Sequence, residues 1–373
     1  MSNAAHRRDQ DDLRLLRESV RTLLERAGGA ARARKIRDED GVRDSPVMLE
    51  LAKAGVFGAV VPEEAGGLGM GLSAAGIIAE EVGRVIAPEP VVASVGLAIG
   101  LLRRLCPEHA LLAETLAGTT VLATAWQERD VKGLSNTLSC RFENSALTGT
   151  KSWVAGVTAA SAILVVAEAD GGPALALIEP CGKGVSIDKR RQSDGSIMAE
   201  LHLSEAPAEL LAKGPVVNAA LAAAVSDTTA LTAAELVGVS AKALEITLDY
   251  TKTREQFDKP IGSFQVIQHR AVDMHIMQQL AEASVRDALG LMDAAEAPRL
   301  RARQASRAKA RACTTARKIT REAIQLHGAI GYTDELDIGL YLNRALVLSA
   351  WLGDDVYHRR LWLRARNAEE AAR

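Results

Sequence analysis

The chain has 373 residues, 48% hydrophobic and 25% charged, with a formal net charge of −2. This balance suits a globular protein of two or three domains. It excludes the strongly basic field that nucleic acid or an acidic membrane surface would require. Aromatic residues make up 3% and alanine is abundant, which favours helix over sheet. Four cysteines, Cys106, Cys140, Cys181 and Cys313, have no CxxC spacing, so neither a disulfide framework nor a metal site is expected, and a reducing cytoplasm fits. The first residues lack the apolar stretch of a signal peptide, and no uncharged run reaches the ~20 residues of a membrane span.

The first 118 residues read as helices. Leu13, Leu16, Val20, Leu23 and Ala27 recur at the spacing of one apolar helix face. Ser45-Pro46 is a helix start. The glycines of VPEEAGGLGMG, from Val61, predict turns rather than a phosphate loop, because no strand–GxGxxG–helix pattern surrounds them. From Thr119 to Lys213 the pattern changes to short apolar or alternating runs: TVLATAW, TLSCRFEN, AILVVAEA, ALALIEP, GVSIDKR and AELHLSE. Punctuated by Gly, Asn, Asp and Pro, they predict a compact β domain of hairpins. Beyond Val216 the stretches 219–252, 263–293, 297–327 and 335–370 predict long helices packed as an antiparallel bundle. The expected organisation is α+β with three domains, 1–118, 119–213 and 214–373.

Two C-terminal stretches carry candidate chemistry. In TREQFDKPIGSFQVIQHR, residues 253–270, Arg254 can grip a diphosphate in a planar fork or simply sit at a helix C-terminus, and Ser263 can cap the next helix. In EAIQLHGAIGYTDELDIGLYLNRA, residues 322–345, Gly328 and Gly331 admit close approach of a ligand or form an ordinary C-cap.

Together with LAKAGVFGAVVPEEAGGLGMGLSAAGIIAEEVGR from Leu51 and TGTKSWVAG from Thr148, these stretches resemble the acyl-CoA dehydrogenase family over almost the whole chain. The resemblance implies an N-terminal α domain, a central β-barrel-like domain and a C-terminal four-helix bundle. APEP at 87–90, RRQSDGSIMAEL and the WLGD ending are similar to a bacterial branch. That branch acts on steroid side-chain or other bulky acyl-CoAs, often as two unlike subunits. The implied reaction is α,β-desaturation of an acyl-CoA. A carboxylate takes the α-proton, FAD takes the β-hydrogen as hydride, and electron-transfer flavoprotein is the acceptor.

Carried over residue by residue, the resemblance implies that Arg254, Phe257, Gln265, Gln325 and Gly328 grip the FAD diphosphate and adenine across a subunit interface. Trp153 matches a flavin-stacking tryptophan. The departures are as informative. Asp258 and Ala329 stand where glycine is usual. The loop that approaches the flavin reads AWQERDVKGLSN, in which only Glu128 survives, and Ala155 replaces a hydroxyl. WLGD aligns with the segment that carries the base, but Leu352 falls on the glutamate and cannot take a proton.

That leaves Asp354 as an expected N-cap and Asp355 as a first-turn acid. The alternative base position on the first bundle helix falls on Thr228, next to Asp227. A one-residue shift turns a side chain by about 100°, so Asp227 is a weak candidate, and Glu235 and His327 are weaker still. An intact dinucleotide grip beside an eroded flavin pocket predicts one subunit of an α2β2 heterotetramer whose second, dehydrogenase-like chain supplies the base. A self-sufficient homo-oligomer is the rival. The further alternatives are a non-catalytic, cofactor-clamping subunit and a flavin-dependent acyl-CoA oxidase or monooxygenase.

Overall fold

The computed structural model describes residues 3–39, 45–129, 133–134, 138–295 and 297–371. In chain order, helices α1 (Asn3–Arg26), α2 (Gly29–Asp38), α3 (Ser45–Lys53) and α4 (Gly71–Arg84) come first. They precede α5 (Val91–Ala93), a π-helical turn Ser94–Ala98, α6 (Ile99–Leu105) and α7 (Ala110–Leu116). Strands follow: β1 (Leu122–Ala125), β2 (Arg141–Glu143), β3 (Ala146–Ala155), β4 (Ala162–Ala169), β5 (Gly172–Ile178), β6 (Val185–Arg191), β7 (Ile197–Pro207) and β8 (Glu209–Lys213). The C-terminal part comprises α8 (Pro215–Thr253), the two-residue strands β9 (Glu255–Gln256) and β10 (Lys259–Pro260), α9 (Gln265–Ala294), α10 (Pro298–His327), α11 (Ile338–Ala350) and α12 (Asp355–Ala371). The expected order of helical, sheet and helical regions is thus observed.

Internal contacts divide the chain into two compact units. One contains Met1–Lys35, Gly76–Ala87 and Thr229–Arg373, and the other Ile36–Ala75 and Pro88–Thr228. In the first unit α1 buries Val20 and Leu24, while Leu13, Leu16, Leu23 and Ala27 are half-buried, so the expected apolar face is the one turned inward, with Leu24 added to it. Arg17 and Arg21 flank that face and reach Glu80 and Glu81 at 2.7–2.9 Å. Two glycines let α4 and α8 touch backbone to backbone. A Cβ on Gly83 would lie 2.1 Å from the Glu235 carbonyl oxygen, and one on Gly238 would lie 1.9 Å from that of Glu80. Helix α10 packs against α9, α11 and α12 through an alanine-rich buried face that includes Ala305, Ala308, Ala312, Ala316 and Ala323.

In the second unit the sheet runs β6-β7-β3-β2-β4-β5-β8, with β1 paired to β4. Its core gathers Leu147, Val154, Ile163, Val165, Ile178 and Leu201. The sheet is mixed rather than made of hairpins alone, since β1 and β2 both run parallel to β4. β1 and β2 do not pair with each other; each lies parallel to β4 instead. The VPEEAGGLGMG segment is indeed turn-forming. Gly66 has φ 81°, and a Cβ on Gly67 would lie 2.1 Å from the Val61 carbonyl oxygen.

Two expectations are corrected, and one helix is notable for its composition. The stretch 335–370 is two helices, because Leu352 (φ 64°) and Gly353 (φ 107°) turn the chain between α11 and α12. Ser263 does not cap α9: it lies in the 3₁₀ turn Ile261–Ser263, and Phe264 stands at the N-cap without a side-chain bond. Helix α8 is long and apolar enough to cross a membrane by composition, with an 18-residue window of mean hydropathy 1.3, but 61% of that window is buried within the protein. That is the pattern of a core helix, in which few charges interrupt a face packed all round.

Candidate functional site

The WLGDD turn is held from both sides. The Asp354 carboxylate accepts a hydrogen bond from the Tyr357 amide at 2.8 Å, capping α12, and Asp355 lies in the first turn as expected. Asp355 is buried and is held by Arg317 and, at 3.1 Å, by Arg359. Beneath the turn the fully buried Lys309 ammonium donates to the Leu348 and Trp351 carbonyls, satisfying the end of α11. Burial pushes its pKa down. His358 lies 3.1 Å from the Leu352 carbonyl through Nε2 and 3.2 Å from the Ser306 hydroxyl through Nδ1. Burial, with the neighbouring Lys309 charge, takes His358 down to about 3, so its ring is neutral. Leu352 is itself buried. The turn is therefore a packed structural corner, and its carboxylates are engaged in capping and ion pairing.

The other carboxylates weighed as bases are also engaged. Asp227 is buried and accepts from Arg104 at 2.6 Å and Arg103 at 3.3 Å. Both guanidiniums converge on its Oδ2, so the carboxylate is engaged within the fold. Neighbouring Thr228 is fully buried, donates to the Ala224 carbonyl at 2.6 Å and packs against Gly96; a Cβ on Gly96 would lie 2.3 Å from its hydroxyl oxygen. Glu235 is buried against Arg344 at 2.9 Å. His327 is buried with Nδ1 2.8 Å from the Ala323 carbonyl, and burial lowers its pKa.

The candidate grip has the opposite character. Arg254 follows α8 directly, is exposed, and makes no ion pair among the described residues. Its backbone is fixed by Arg254 N to Tyr250 O at 2.9 Å and Ile261 N to Arg254 O at 2.8 Å. Between them the β9–β10 hairpin turns at Phe257 (φ 55°) and Asp258 (φ 60°). Two consecutive left-handed residues make the mirror-image turn preferred by hairpins. Asp258 thus occupies a glycine's conformation, one that aspartate tolerates better than most residues. Phe257 is 87% exposed, with its edge against Phe264 at 6.1 Å. Gln265 opens α9 and is exposed. Gln325 is exposed on the last turn of α10, and Gly328 ends that helix at φ 67° with open space where a Cβ would stand. The ring of Tyr250, which the sequence did not single out, stacks on His327 at 4.3 Å. It joins the Arg254 end of α8 to the Gln325–Gly328 end of α10.

In the second unit Trp153 has φ 59°, at a register shift of β3 against β7, and is 52% exposed. A left-handed conformation is costly for an aromatic residue, and the β-bulge here holds Trp153 in it. Glu128 is bound by Lys151 Nζ at 2.7 Å, by the Ser139 hydroxyl at 2.7 Å, and by the amides of Ser139 at 2.8 Å and Cys140 at 3.1 Å. Burial raises its pKa, but these donors outweigh burial and bring it down to about 2. Glu128 is the anchor of the loop between β1 and β2. Parts of the AWQERDVKGLSN stretch, 130–132 and 135–136, lie outside the described residues. Ala155, the last residue of β3, carries no hydroxyl.

Two further groups escaped the sequence reading. Lys151 is fully buried in TGTKSWVAG, and Lys309 lies at helical spacing between Ala305 and Cys313 on the buried face of α10. A lysine on an otherwise apolar face was the available signal in both cases.

The residues that could hold FAD fit it unevenly. An exposed arginine, an exposed glutamine pair and an open glycine suit a diphosphate. On the flavin side, Glu128 is consumed by its own loop and Ala155 offers no donor.

Comparison with known proteins bears on the fold and the family. The acyl-CoA dehydrogenase N-terminal domain matches residues 10–109 and the C-terminal domain residues 218–366. Acyl-CoA dehydrogenase IpdE2 of Mycobacterium tuberculosis (strain ATCC 25618 / H37Rv) is 30% identical over 337 residues, covering 90% of this chain and 91% of that protein. Among solved structures, a variant of the Tcur3481-Tcur3483 steroid ACAD superposes with a TM-score of 0.87 at 28% identity, covering 98% of this chain and 100% of that one. The ChsE4-ChsE5 complex from Mycobacterium tuberculosis shares the fold, with a TM-score of 0.81 at 24% identity over 96% of this chain and 97% of that one. The chain belongs to the acyl-CoA dehydrogenase family, whose members are oxidoreductases acting on CH–CH bonds.

Proposed function

We propose that this chain is the base-lacking subunit of a heteromeric FAD-dependent acyl-CoA dehydrogenase acting on bulky or steroid side-chain acyl-CoAs. Its domains are 1–118, 119–213 and 214–373, and electron-transfer flavoprotein is its acceptor. One observation carries the reading. The candidate base positions hold Leu352 and Thr228, and the carboxylates beside them are already paired: Asp227 with Arg103 and Arg104, Glu235 with Arg344, and Asp355 with Arg317. The steroid ACAD named above supports the substrate class, and the ChsE4-ChsE5 complex supports a two-chain assembly.

In this assembly Arg254, Phe257, Gln265, Gln325 and Gly328 hold the dinucleotide of the partner's FAD. Arg254 supplies charge-assisted donors to its diphosphate, and the open Gly328 lets backbone approach it. FAD, when bound, accepts a hydride from the β-carbon. Trp153 offers a ring face beside its own strand. Asp227 serves as a structural anchor for the two arginines of α6.

Expression of this chain alone and together with its genomic neighbours tests the proposal. The expected result is copurification with a second dehydrogenase-like chain, about one FAD per two chains, and flavin bleaching at about 450 nm on anaerobic addition of acyl-CoA to the complex only. An isolated chain carrying a full complement of FAD and desaturating a thioester overturns it.

A further inference from the structure

We infer that Tyr250 and His327 are positioning residues that set the spacing of the dinucleotide grip; this rests on the proposal that Arg254 and the Gln325–Gly328 turn bind one FAD. The grip is built from the ends of two different helices, α8 and α10, so its spacing depends on what joins those ends. The tie is the stacked pair. The Tyr250 and His327 rings lie 4.3 Å apart at 25°, and the Tyr250 hydroxyl points to the His327 carbonyl at 3.4 Å. Each ring is locked to the functional residues of its own helix. Arg254 N donates to Tyr250 O at 2.9 Å, so the arginine's backbone is fixed one turn from the ring. His327 immediately precedes Gly328. Its ring is oriented by the bond to Ala323, and a Cβ on Gly331 would lie 3.0 Å from the His327 Cβ. Movement of the stack therefore moves both sides of the grip together. Burial lowers the pKa of the imidazole and so favours its neutral form, which suits a stacking role and leaves the positive charge of the grip to Arg254.

The test titrates FAD into the assembly in which the protein purifies, reading quenching of flavin fluorescence, with Tyr250→Leu, Tyr250→Phe, Arg254→Ala and the double variant Tyr250→Leu/Arg254→Ala. Tyr250→Leu is expected to weaken FAD by about tenfold and Tyr250→Phe to retain most of the affinity, because the ring and not the hydroxyl makes the stack. In the Arg254→Ala background Tyr250→Leu should cost much less, since its effect passes through the arginine. Unchanged FAD affinity in Tyr250→Leu, or an undiminished loss in the double variant, overturns the inference. Unchanged affinity in Arg254→Ala instead removes the reading on which it rests. Thermal melting and assembly state are measured in parallel, and a Tyr250→Leu protein that fails to assemble is replaced by His327→Gln, for which the same coupling is required.

Discussion

The WLGDD corner and the Arg254 hairpin lie in the same compact unit and have opposite electrostatic characters. At the corner, Asp355 is ion-paired, Asp354 caps a helix, and the Lys309 ammonium and neutral His358 imidazole are spent on backbone carbonyls. At the hairpin, Arg254 has no ionic partner among the described residues and Phe257 is almost fully exposed. Folding satisfies its own polar groups wherever it can, because an unpaired buried group is costly. An exposed arginine carries no such penalty, since water satisfies it, and it stays available to a ligand. The corner is packed and its carboxylates engaged, while the hairpin leaves Arg254 and Phe257 exposed, which is what the proposed binding role requires.

Lys151→Met tests the structural side of this contrast most severely. It strands the Glu128 carboxylate, and removing one partner of a buried pair should lower stability by about 3 kcal/mol, the low end of the range because Ser139 and Cys140 still donate. Thermal melting reads it. The same carboxylate sets an acid limit. Its pKa of about 2 lies below the ordinary 4.5, so its contribution is complete above pH 4.5 and is lost as pH falls toward 2. His358, depressed to about 3 from 6.5, begins to favour the unfolded chain already below pH 6.5. Acid titration of Glu128→Gln and His358→Asn should remove these two windows separately; a single shared transition in both would break the assignment.

On the binding side, Arg254→Ala should weaken FAD by about 10- to 100-fold, the worth of a charge-assisted fork, while leaving the melting temperature nearly unchanged. An equal loss of stability would mean that Arg254 belongs to the structural class after all. At the corner, Gly353→Ala should cost about 2 kcal/mol, because the added methyl meets Tyr357 Cδ1 at 2.4 Å at a φ of 107°. Asp354→Ala should cost about 1 kcal/mol for the lost cap, measured as a small fall in melting temperature.

Much of the fold was legible because its signals are local. The helical stretches 219–252, 263–293 and 297–327 lie within or nearly coincide with α8, α9 and α10, since long breaker-free runs declare helix by composition. The runs between Thr119 and Lys213 became strands whose pairing followed proximity only in part: β2–β3, β4–β5 and β6–β7 pair antiparallel in sequence, but β1 and β2 found β4 across intervening chain. The Asp354 cap was legible from its place after glycine, whereas Ser263 carried the same signal and does not cap. Ser263 closes the 3₁₀ turn Ile261–Ser263, and Phe264 alone is extended before α9 begins, so the cap position falls one residue later.

The sequence by itself determined the helix–sheet–helix order, the family, and the absence of a carboxylate at Leu352 and Thr228, because residue type and spacing are local properties. Only the tertiary structure decided the fates of the remaining charges and rings. Asp227 meets Arg103 and Arg104 more than a hundred positions earlier in the chain, Glu235 meets Arg344, Lys151 meets Glu128, and Tyr250 meets His327. Such pairings depend on distances set by packing, and helix contacts as close as those at Gly83 and Gly238 are fixed by backbones meeting across the fold rather than by any run of neighbouring residues.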